Sequence, residues 1–235
     1  MTTRDPGAAG LARLAGLIAD ETRAVCLLAL LDGRAWTAGE LARHAGVAAS
    51  TVSEHLGKLV AGGLLAEERQ GRHRYVRLAD ARVAHLVEDL TAQVVPGAPR
   101  PASLAAAGTR SAMARGRTCY DHLAGRLGIA VTDALTARGL LRQDTGFALT
   151  DAGLAWFDTA GIPLARTGRR PLARACLDWT ERRPHLAGVA GAALCRHALD
   201  AGWCVRVGSA RAVRVTAAGR RALSESLGVE AAALA

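Results

Sequence analysis

The fold is decided by one stretch of the chain, which reads ASTVSEHLGKL over residues 49–59, AGGLL over 61–65 and QGRHRY over 70–75. In the first segment, Val52, Leu56 and Leu59 recur at the spacing of one helix face. This pattern predicts a helix over 50–61 that ends at the glycine pair after Ala61. The other face of that helix is polar and remains available for contacts outside the core.

A second short helix is predicted immediately before it. Thr37 followed by Glu40 has the spacing of a capping box, which marks a helix N-terminus. The helix is expected to run to His44 and to stop at Gly46, and residues 47–49 then form a tight turn. Two short helices joined by such a turn form a helix-turn-helix.

A β-hairpin is predicted next, because residues 64–69 and 73–78 are strand-like runs on either side of a glycine. Three arginines lie at or beside its tip: Arg69, Arg72 and Arg74. A helix-turn-helix followed by a basic hairpin is a winged helix. Apolar stripes run from Leu14 to Leu31 and from Val83 to Val94 in the flanking helical segments, and they predict dimer faces.

These patterns favour binding of duplex DNA. Small polar side chains at the start of a helix let it approach the floor of the major groove, and basic side chains on a hairpin bind phosphates or enter the minor groove. The predicted DNA-binding residues are Ser50, Thr51, Ser53, Glu54, His55, Lys58, Arg69, Arg72 and Arg74. The alternative is that the hydroxyl side chains only cap the helix and that the arginines are only solvated.

The segments over 49–75, in this order and at this spacing, resemble the ArsR family of arsenic-repressor-like regulators over residues 10–95. The resemblance implies a winged-helix homodimer, paired through the first and last helices of the domain, that binds operator DNA as a repressor. The best-known members of the family carry two cysteines in the helix before the recognition helix, and residues 40–44 have none; others place a metal site on the last helix. A metal site on the last helix could draw only on Asp80, His85, Glu88 and Asp89. We expect those residues to be solvated or partly buried without a metal.

The second half of the chain is predicted to be a separate domain. Residues 96–101 read PGAPRP, and a segment with three prolines cannot form the interior of a helix. A linker is therefore predicted over 96–109. It separates a DNA-binding and dimerisation domain at 10–95 from a domain at 110–235. The fold class is therefore expected to be mainly α with small β-hairpins, and the first domain is a winged helix-turn-helix.

A weak internal repeat lies in the second domain. His122–Gly125 recurs as His185–Gly188, and each copy is followed by an apolar helix, a glycine and a Thr-x-x-Gly segment. This pattern predicts two degenerate winged-helix-like repeats that share a core. The stretches Arg117–Gly125 and Cys176–Gly188 also resemble segments of ArsR-like regulators of about this length, which extends the resemblance to nearly the whole chain.

Composition limits the class of protein. Hydrophobic residues make up 50% of the chain and aromatic residues only 3%, so the core must be aliphatic. The net charge of +9 falls after residue 96 and suits a polyanion such as DNA. The five cysteines are too few for a disulfide framework, and no apolar run reaches bilayer length. The sequence predicts a soluble, cytoplasmic protein with reduced thiols and no membrane partner.

The second domain is predicted to bind an effector. The candidate residues are Cys119, Tyr120, His122, Trp156, Cys176, Trp179, His185 and Trp203. The aromatic members would line one pocket for an organic molecule, the effector that we favour over a metal. Two alternatives remain open. One is a purely structural core; the other is a metal- or redox-responsive site built from the two cysteines and two histidines, a donor set that suits a tetrahedral cation.

An enzyme is not predicted. The sequence has no dinucleotide-binding, phosphate-loop, nucleophile-elbow or zincin motif. Cys119 with His122 is a conceivable nucleophile–base pair, but nothing in the sequence supplies an oxyanion hole. We therefore predict a homodimeric transcriptional repressor, without a cofactor or a metal, that an effector bound in the second domain releases from its operator.

Overall fold

The computed structural model describes residues 5–70, 73–94, 104–144, 146–165, 170–208 and 211–234. The chain divides into two compact units, Met1–Val87 and Glu88–Ala235. The predicted linker falls mostly on residues 95–103, which lie outside the described ranges, while a helix begins inside its last part, at Leu104. Within the described ranges, no helix is both long and apolar enough to cross a membrane.

The first unit is a winged helix-turn-helix. Its elements are α1 (Pro6–Ile18), α2 (Glu21–Leu30), β1 (Trp36–Thr37), α3 (Ala38–Ala45), α4 (Ala49–Ala61), β2 (Leu65–Gln70), β3 (His73–Leu78) and the beginning of α5 (Ala81–Ala92). The strands form an antiparallel sheet in the order β1-β3-β2. The predicted pair of short helices, α3 and α4, and the hairpin that follows them are confirmed.

Local capping explains where the helices of this unit begin and end. The side chain of Asp20 accepts a hydrogen bond from the Arg23 backbone at 2.9 Å and separates α1 from α2. Thr37 and Glu40 form the reciprocal capping box that the sequence predicts, and Gly46 ends α3 in the left-handed conformation. Such caps each contribute about 0.5–2 kcal/mol, so they place α3 and α4 in a defined register.

The second unit is built from hairpins and helices. Its elements after the end of α5 are α6 (Leu104–Arg115), β4 (Arg117–Cys119), β5 (His122–Ala124), α7 (Gly125–Ala137), β6 (Leu141–Arg142), β7 (Ala148–Leu149), α8 (Asp151–Thr159), β8 (Arg174–Leu177), β9 (Pro184–Ala187), α9 (Gly188–Asp200), β10 (Cys204–Arg206), β11 (Val213–Val215), α10 (Ala217–Leu227) and a short 3-10 helix (Ala231–Leu234). Each successive pair of strands from β4 to β11 forms a two-stranded antiparallel hairpin.

The predicted repeat is confirmed in the order of these elements, since hairpin, helix, hairpin and helix occur twice. Equivalent residues have equivalent roles: Thr150 caps α8 by accepting from the Gly153 backbone at 3.0 Å, and Thr216 does the same for α10 with Gly219, also at 3.0 Å. One feature differs from the expectation. Each repeat begins with an additional hairpin, β4–β5 or β8–β9. The first helix of the repeat, α7 or α9, starts directly after this hairpin.

The two repeats share one aliphatic core. Buried side chains of the first repeat, among them Leu127, Leu135 and Phe157, belong to the same cluster as Leu194 and Leu223 of the second. A single shared core explains why two pieces of about 60 residues fold together, because a unit of that size is marginally stable by itself.

Candidate functional site

The outer face of α4 is polar and exposed. Val52, Leu56 and Leu59 are buried against the core of the first unit, with at most 1% of each residue exposed. On the opposite face, exposed side chains follow one another over two turns: Ser50, Thr51, Glu54 and Lys58. Glu54 accepts a hydrogen bond from Lys58 at 2.7 Å, and this contact lowers the pKa of the Glu54 carboxyl. The helix therefore presents hydroxyls and one charge pair while its apolar face holds it in place.

His55, which the sequence placed among the DNA contacts, does not lie on this face. Its side chain is only 15% exposed and packs at the start of α2, with Nδ1 3.6 Å from Asp20 Oδ1 and 3.3 Å from Arg23 Nη1. Arg23 in turn donates to the Leu17 carbonyl at 2.6 Å. His55 thus joins α4 to the α1–α2 corner, and we leave it out of the candidate interface. Ser53 is half-buried.

The hairpin of β2 and β3 carries two described arginines that face one acid. Arg69 and Arg74 are direct cross-strand partners, and Glu67 lies on the same face. Glu67 is 2.8 Å from Arg74 and 3.4 Å from Arg69. Arg69 keeps 79% of its side chain exposed, so it remains available to a phosphate. Arg72, predicted at the tip, lies outside the described residues.

The second unit brings two cysteines and two histidines into one buried cluster, the Cys–His cluster. Cys119 pairs with His122 across β4 and β5, and Cys176 pairs with His185 across β8 and β9. The two Sγ atoms are 3.9 Å apart, and the imidazole centroids are 5.0 Å apart. One donor atom from each residue lies within 4.8 Å of the others, and none of the four residues is more than 4% exposed.

The helices explain why the hairpins can approach so closely. Gly191 of α9 lies against His122, and Gly128 of α7 lies against His185; a Cβ added at these glycines would be 3.2 Å and 3.7 Å from the respective histidine Cβ. The histidine of each repeat therefore packs on the helix of the other repeat. A side chain at either glycine would collide first with a backbone carbonyl of the hairpin before its helix, that of Leu123 for Gly128 and that of Leu186 for Gly191.

The aromatic residues predicted to line an effector pocket do not assemble there. Trp156 donates to the Ser226 carbonyl at 3.2 Å, and Trp203 stacks edge-on against His197. Trp179 donates to Glu88 at 3.0 Å, and Tyr120 is 44% exposed. A cavity of about 530 Å³ occurs elsewhere in the second unit, near Arg115, Arg214 and Arg220, and none of the four aromatic residues lines it. The prediction of one aromatic-walled pocket is therefore corrected.

A buried ion-pair network, which the sequence analysis missed, lies in the second unit. Arg117 is fully buried and contacts Asp178 at 3.0 Å and Glu88 at 3.2 Å, while Arg211 contacts Glu88 at 2.6 Å. Burial alone would raise the pKa of Glu88, but the two guanidinium groups hold it below its usual value. The available signal was the position of Arg117 and Asp178, each two residues from a cysteine of the Cys–His cluster. Glu88 serves this network.

Asp178 also connects the two repeats. Its Oδ2 accepts from the Gly125 backbone at 2.7 Å, and its Oδ1 accepts from the Thr180 backbone at 2.9 Å. Burial would raise the pKa of the Asp178 carboxyl, but Arg117 and these donors hold it far below its usual range. Asp178 remains a carboxylate, and it fixes β8–β9 to the start of α7.

Comparison with known proteins agrees with the fold and the exposed helix. A helix-turn-helix domain family matches residues 18–68. The uncharacterized HTH-type transcriptional regulator YdfF of Bacillus subtilis is 40% identical over 223 residues, which cover 94% of this chain and 98% of YdfF. The HTH-type transcriptional regulator CmtR of Mycobacterium bovis and Mycobacterium tuberculosis is 41% identical over 95 residues, covering 40% of this chain and 79% of CmtR.

Among solved structures, the chain is similar to a winged helix-turn-helix domain from Mycobacterium bovis that is described as homodimeric and as a possible ArsR-family regulator. The identity is 31%, the match covers 37% of this chain and 83% of that one, and the TM-score is 0.33. The fold and the exposed polar face of α4 define a DNA-binding transcriptional regulator of the winged helix-turn-helix class. The chain belongs to the same family of HTH-type transcriptional regulators as YdfF.

Proposed function

We propose that the protein is a homodimeric repressor that reads its operator with α4, holds the flanking backbone with the β2–β3 hairpin, and is released by an effector bound in the second unit. The observation that carries the proposal is the polar, exposed face of α4 above a fully buried apolar face. A recognition helix needs this division, because one face anchors it and the other enters the major groove. The proposal includes a cytoplasmic location and no catalytic activity.

Exposed apolar side chains support the dimer. Leu11 and Leu28 on the first two helices are 68% and 44% exposed, and Leu90 on α5 is 44% exposed. Leu28 and Leu90 lie in the two apolar stripes that predict dimer faces. The M. bovis domain described as homodimeric is consistent with this part of the proposal. A dimer would place two α4 helices one turn of duplex apart, which matches a palindromic site.

Alanine at both Ser50 and Thr51 is expected to weaken operator binding much more than binding to random DNA. Hydrogen bonds to base edges carry sequence discrimination, and each hydroxyl hydrogen bond that is lost is worth about 0.5–1.5 kcal/mol. Fluorescence anisotropy on both duplexes, at several salt concentrations, measures the two affinities. Ser224→Ala, an exposed helical serine of the second unit, is the matched control and should change neither.

Arg69→Ala provides the contrast within the same experiment. A phosphate contact carries no sequence information, so its loss should weaken both duplexes alike and reduce the salt slope by about one. If the Ser50 and Thr51 double variant lost affinity equally on both duplexes, α4 would not be reading bases, and this part of the proposal would be wrong.

The Cys–His cluster supports the effector part of the proposal, because it gathers buried donor groups from both repeats. Operator affinity is therefore expected to be lower for protein reloaded with Zn²⁺ than for the same protein stripped with a chelator and reductant. Allosteric coupling of typical size, about 1–3 kcal/mol, gives a difference of about 5–150-fold. The control is Cys119→Ser, in which stripping and reloading should make no difference. If the stripped and reloaded wild-type proteins bound the operator equally well, the Cys–His cluster would not regulate operator binding.

A further inference from the structure

We infer that Cys119, His122, Cys176 and His185 form a closed tetrahedral site for a borderline-soft divalent cation, and that this cation is Zn²⁺. The inference deepens the proposed function, because it names the ligand of the proposed effector site. Its test needs no DNA, so a failure here is distinguishable from a failure of operator control.

The spacing of the sulfur atoms fits a shared metal ion. Two thiolates at the usual Zn–S distance of about 2.3 Å, on a tetrahedral centre, lie about 3.8 Å from each other. The Sγ atoms of Cys119 and Cys176 are 3.9 Å apart. A disulfide requires about 2.05 Å, so the two thiols are too far apart for that bond unless the backbone moves. The observed distance therefore favours a bridging cation over a disulfide.

The histidines are oriented as metal ligands usually are. Nδ1 of His122 is 3.4 Å from Oδ1 of Asp121, and Nδ1 of His185 is 3.6 Å from Oδ2 of Asp178. A carboxylate beside Nδ1 favours the tautomer that carries its proton there, which leaves a lone pair on Nε2. Only His122 is within hydrogen-bond distance of its carboxylate, which prepares that imidazole to bind a cation through Nε2; Nδ1 of His185 has Asp178 nearby but makes no hydrogen bond to any residue in the described ranges.

His185 supplies a second observation that points to a ligand. The residue is 0% exposed, and neither Nδ1 nor Nε2 makes a hydrogen bond to any residue in the described ranges. A buried polar atom without a partner is costly, and native proteins rarely retain one unless a water or an ion completes it. A cation shared with the two sulfur atoms would satisfy one of these two nitrogens.

The donor set selects the type of cation. Two sulfurs and two imidazole nitrogens in a buried tetrahedron suit Zn²⁺, whereas Mg²⁺ and Ca²⁺ require oxygen donors in larger shells. The other buried cysteines of the second unit lack this setting. Burial raises the pKa values of Cys195 and Cys204 to about 12, so they remain thiols and serve as internal controls.

All four donors come from the protein, which is typical of a closed site that holds a structure together. Each repeat contributes one cysteine and one histidine from a hairpin with strands of only three or four residues. Isolated hairpins of this length are not stable, so the energy of metal binding is available to hold the two repeats together.

The test uses the full-length protein, purified under reducing conditions without a chelator, exposed to a slight excess of Zn²⁺ and then desalted. Elemental analysis is expected to find one zinc per chain in the wild type and in Cys204→Ser, and almost none in Cys119→Ser or Cys176→Ser. Because a serine variant could fail to fold, His185→Cys is included. It exchanges one permitted ligand for another and should retain the zinc.

A second readout reports the geometry. Protein loaded with Co²⁺ instead of Zn²⁺ should show the intense visible absorption of a tetrahedral cobalt site together with a thiolate-to-cobalt charge-transfer band. Both bands should be lost in Cys176→Ser and kept in Cys204→Ser. The inference is overturned by a wild-type protein that binds no metal, by full zinc content in both cluster serine variants, or by mass spectrometry that shows Cys119 and Cys176 joined as a disulfide in the reduced preparation.

Discussion

Replacing Arg117 with methionine is expected to reduce the free energy of unfolding of the second unit by about 3–5 kcal/mol, the usual cost of breaking a buried ion pair from one side. Methionine nearly fills the space of the arginine stem, but it leaves the buried carboxylates of Glu88 and Asp178 without their shared cation. The loss should be large because Arg117 is fully buried and bonded to both acids. Arg117→Lys should recover little, since an ammonium group cannot reach both acids with the fixed fork of a guanidinium.

Urea unfolding followed by circular dichroism and by tryptophan fluorescence measures this loss, because Trp179 lies against Arg117 with the guanidinium carbon 5.1 Å from its ring centroid. The matched control is Arg183→Met. Arg183 makes a bidentate pair with Asp133 at 2.7 and 3.0 Å, but both side chains are about half exposed, so the control should cost at most about 1 kcal/mol. Equal losses in the two variants would show that burial does not control the strength of this network.

Alanine at Gly153 or Gly219 is expected to cost about 3 kcal/mol or more, the upper end of what overpacking costs in a core. These glycines are equivalent in the two repeats. A methyl group at Gly153 would collide with the Leu140 carbonyl, and one at Gly219 would collide with the Trp203 carbonyl. The obstacle is backbone in both cases, so no change of rotamer can relieve it. The helix that contains each glycine, α8 or α10, would have to move away from this carbonyl.

Thermal unfolding of each variant gives the loss. Gly108→Ala is the control within the same unit, since Gly108 lies in α6 and a methyl group there has no neighbour within 4 Å among the described residues. Alanine is the better helix former, so this control should leave stability unchanged or raise it by up to about 1 kcal/mol. If Gly153→Ala and Gly219→Ala behaved like the control, the close helix–hairpin contact would be absent from the protein in solution.

The winged helix could be predicted from sequence because its signals are local. A capping box, a glycine stop and a helical period each lie within a few residues, and their physical causes are hydrogen bonds and side-chain spacing along one element. Thr37, Glu40, Val52 and Leu56 all have the expected roles. The repeat could also be predicted from the two Thr-x-x-Gly segments. In each segment the threonine caps a helix, and the glycine lies where a backbone carbonyl approaches too closely for a larger residue.

The Cys–His cluster was only partly readable, for a different physical reason. The sequence offered the two cysteines and two histidines as one possible tetrahedral site, but whether these groups meet depends on hairpin register and on how two hairpins pack across the shared core. Composition also does not show where aromatic side chains lie in the fold. Trp156 contacts the Ser226 carbonyl, and Trp203 contacts His197. His55 shows the same limit on α4, since its position in sequence suits DNA while its contacts with Asp20 and Arg23 depend on how α2 packs.

The Cys–His cluster is divided between the two repeats, so ion binding by a single molecule depends on the peptide that joins them. Each repeat holds one cysteine and one histidine, so a protein cut between α8 and β8 would consist of two fragments that each carry half of a binding site. Joined by a peptide, the halves face each other at an effective concentration in about the millimolar range; as separate fragments they must find each other by diffusion. Ion binding would then depend on fragment concentration, and the covalent connection between the repeats is what makes it a property of one molecule.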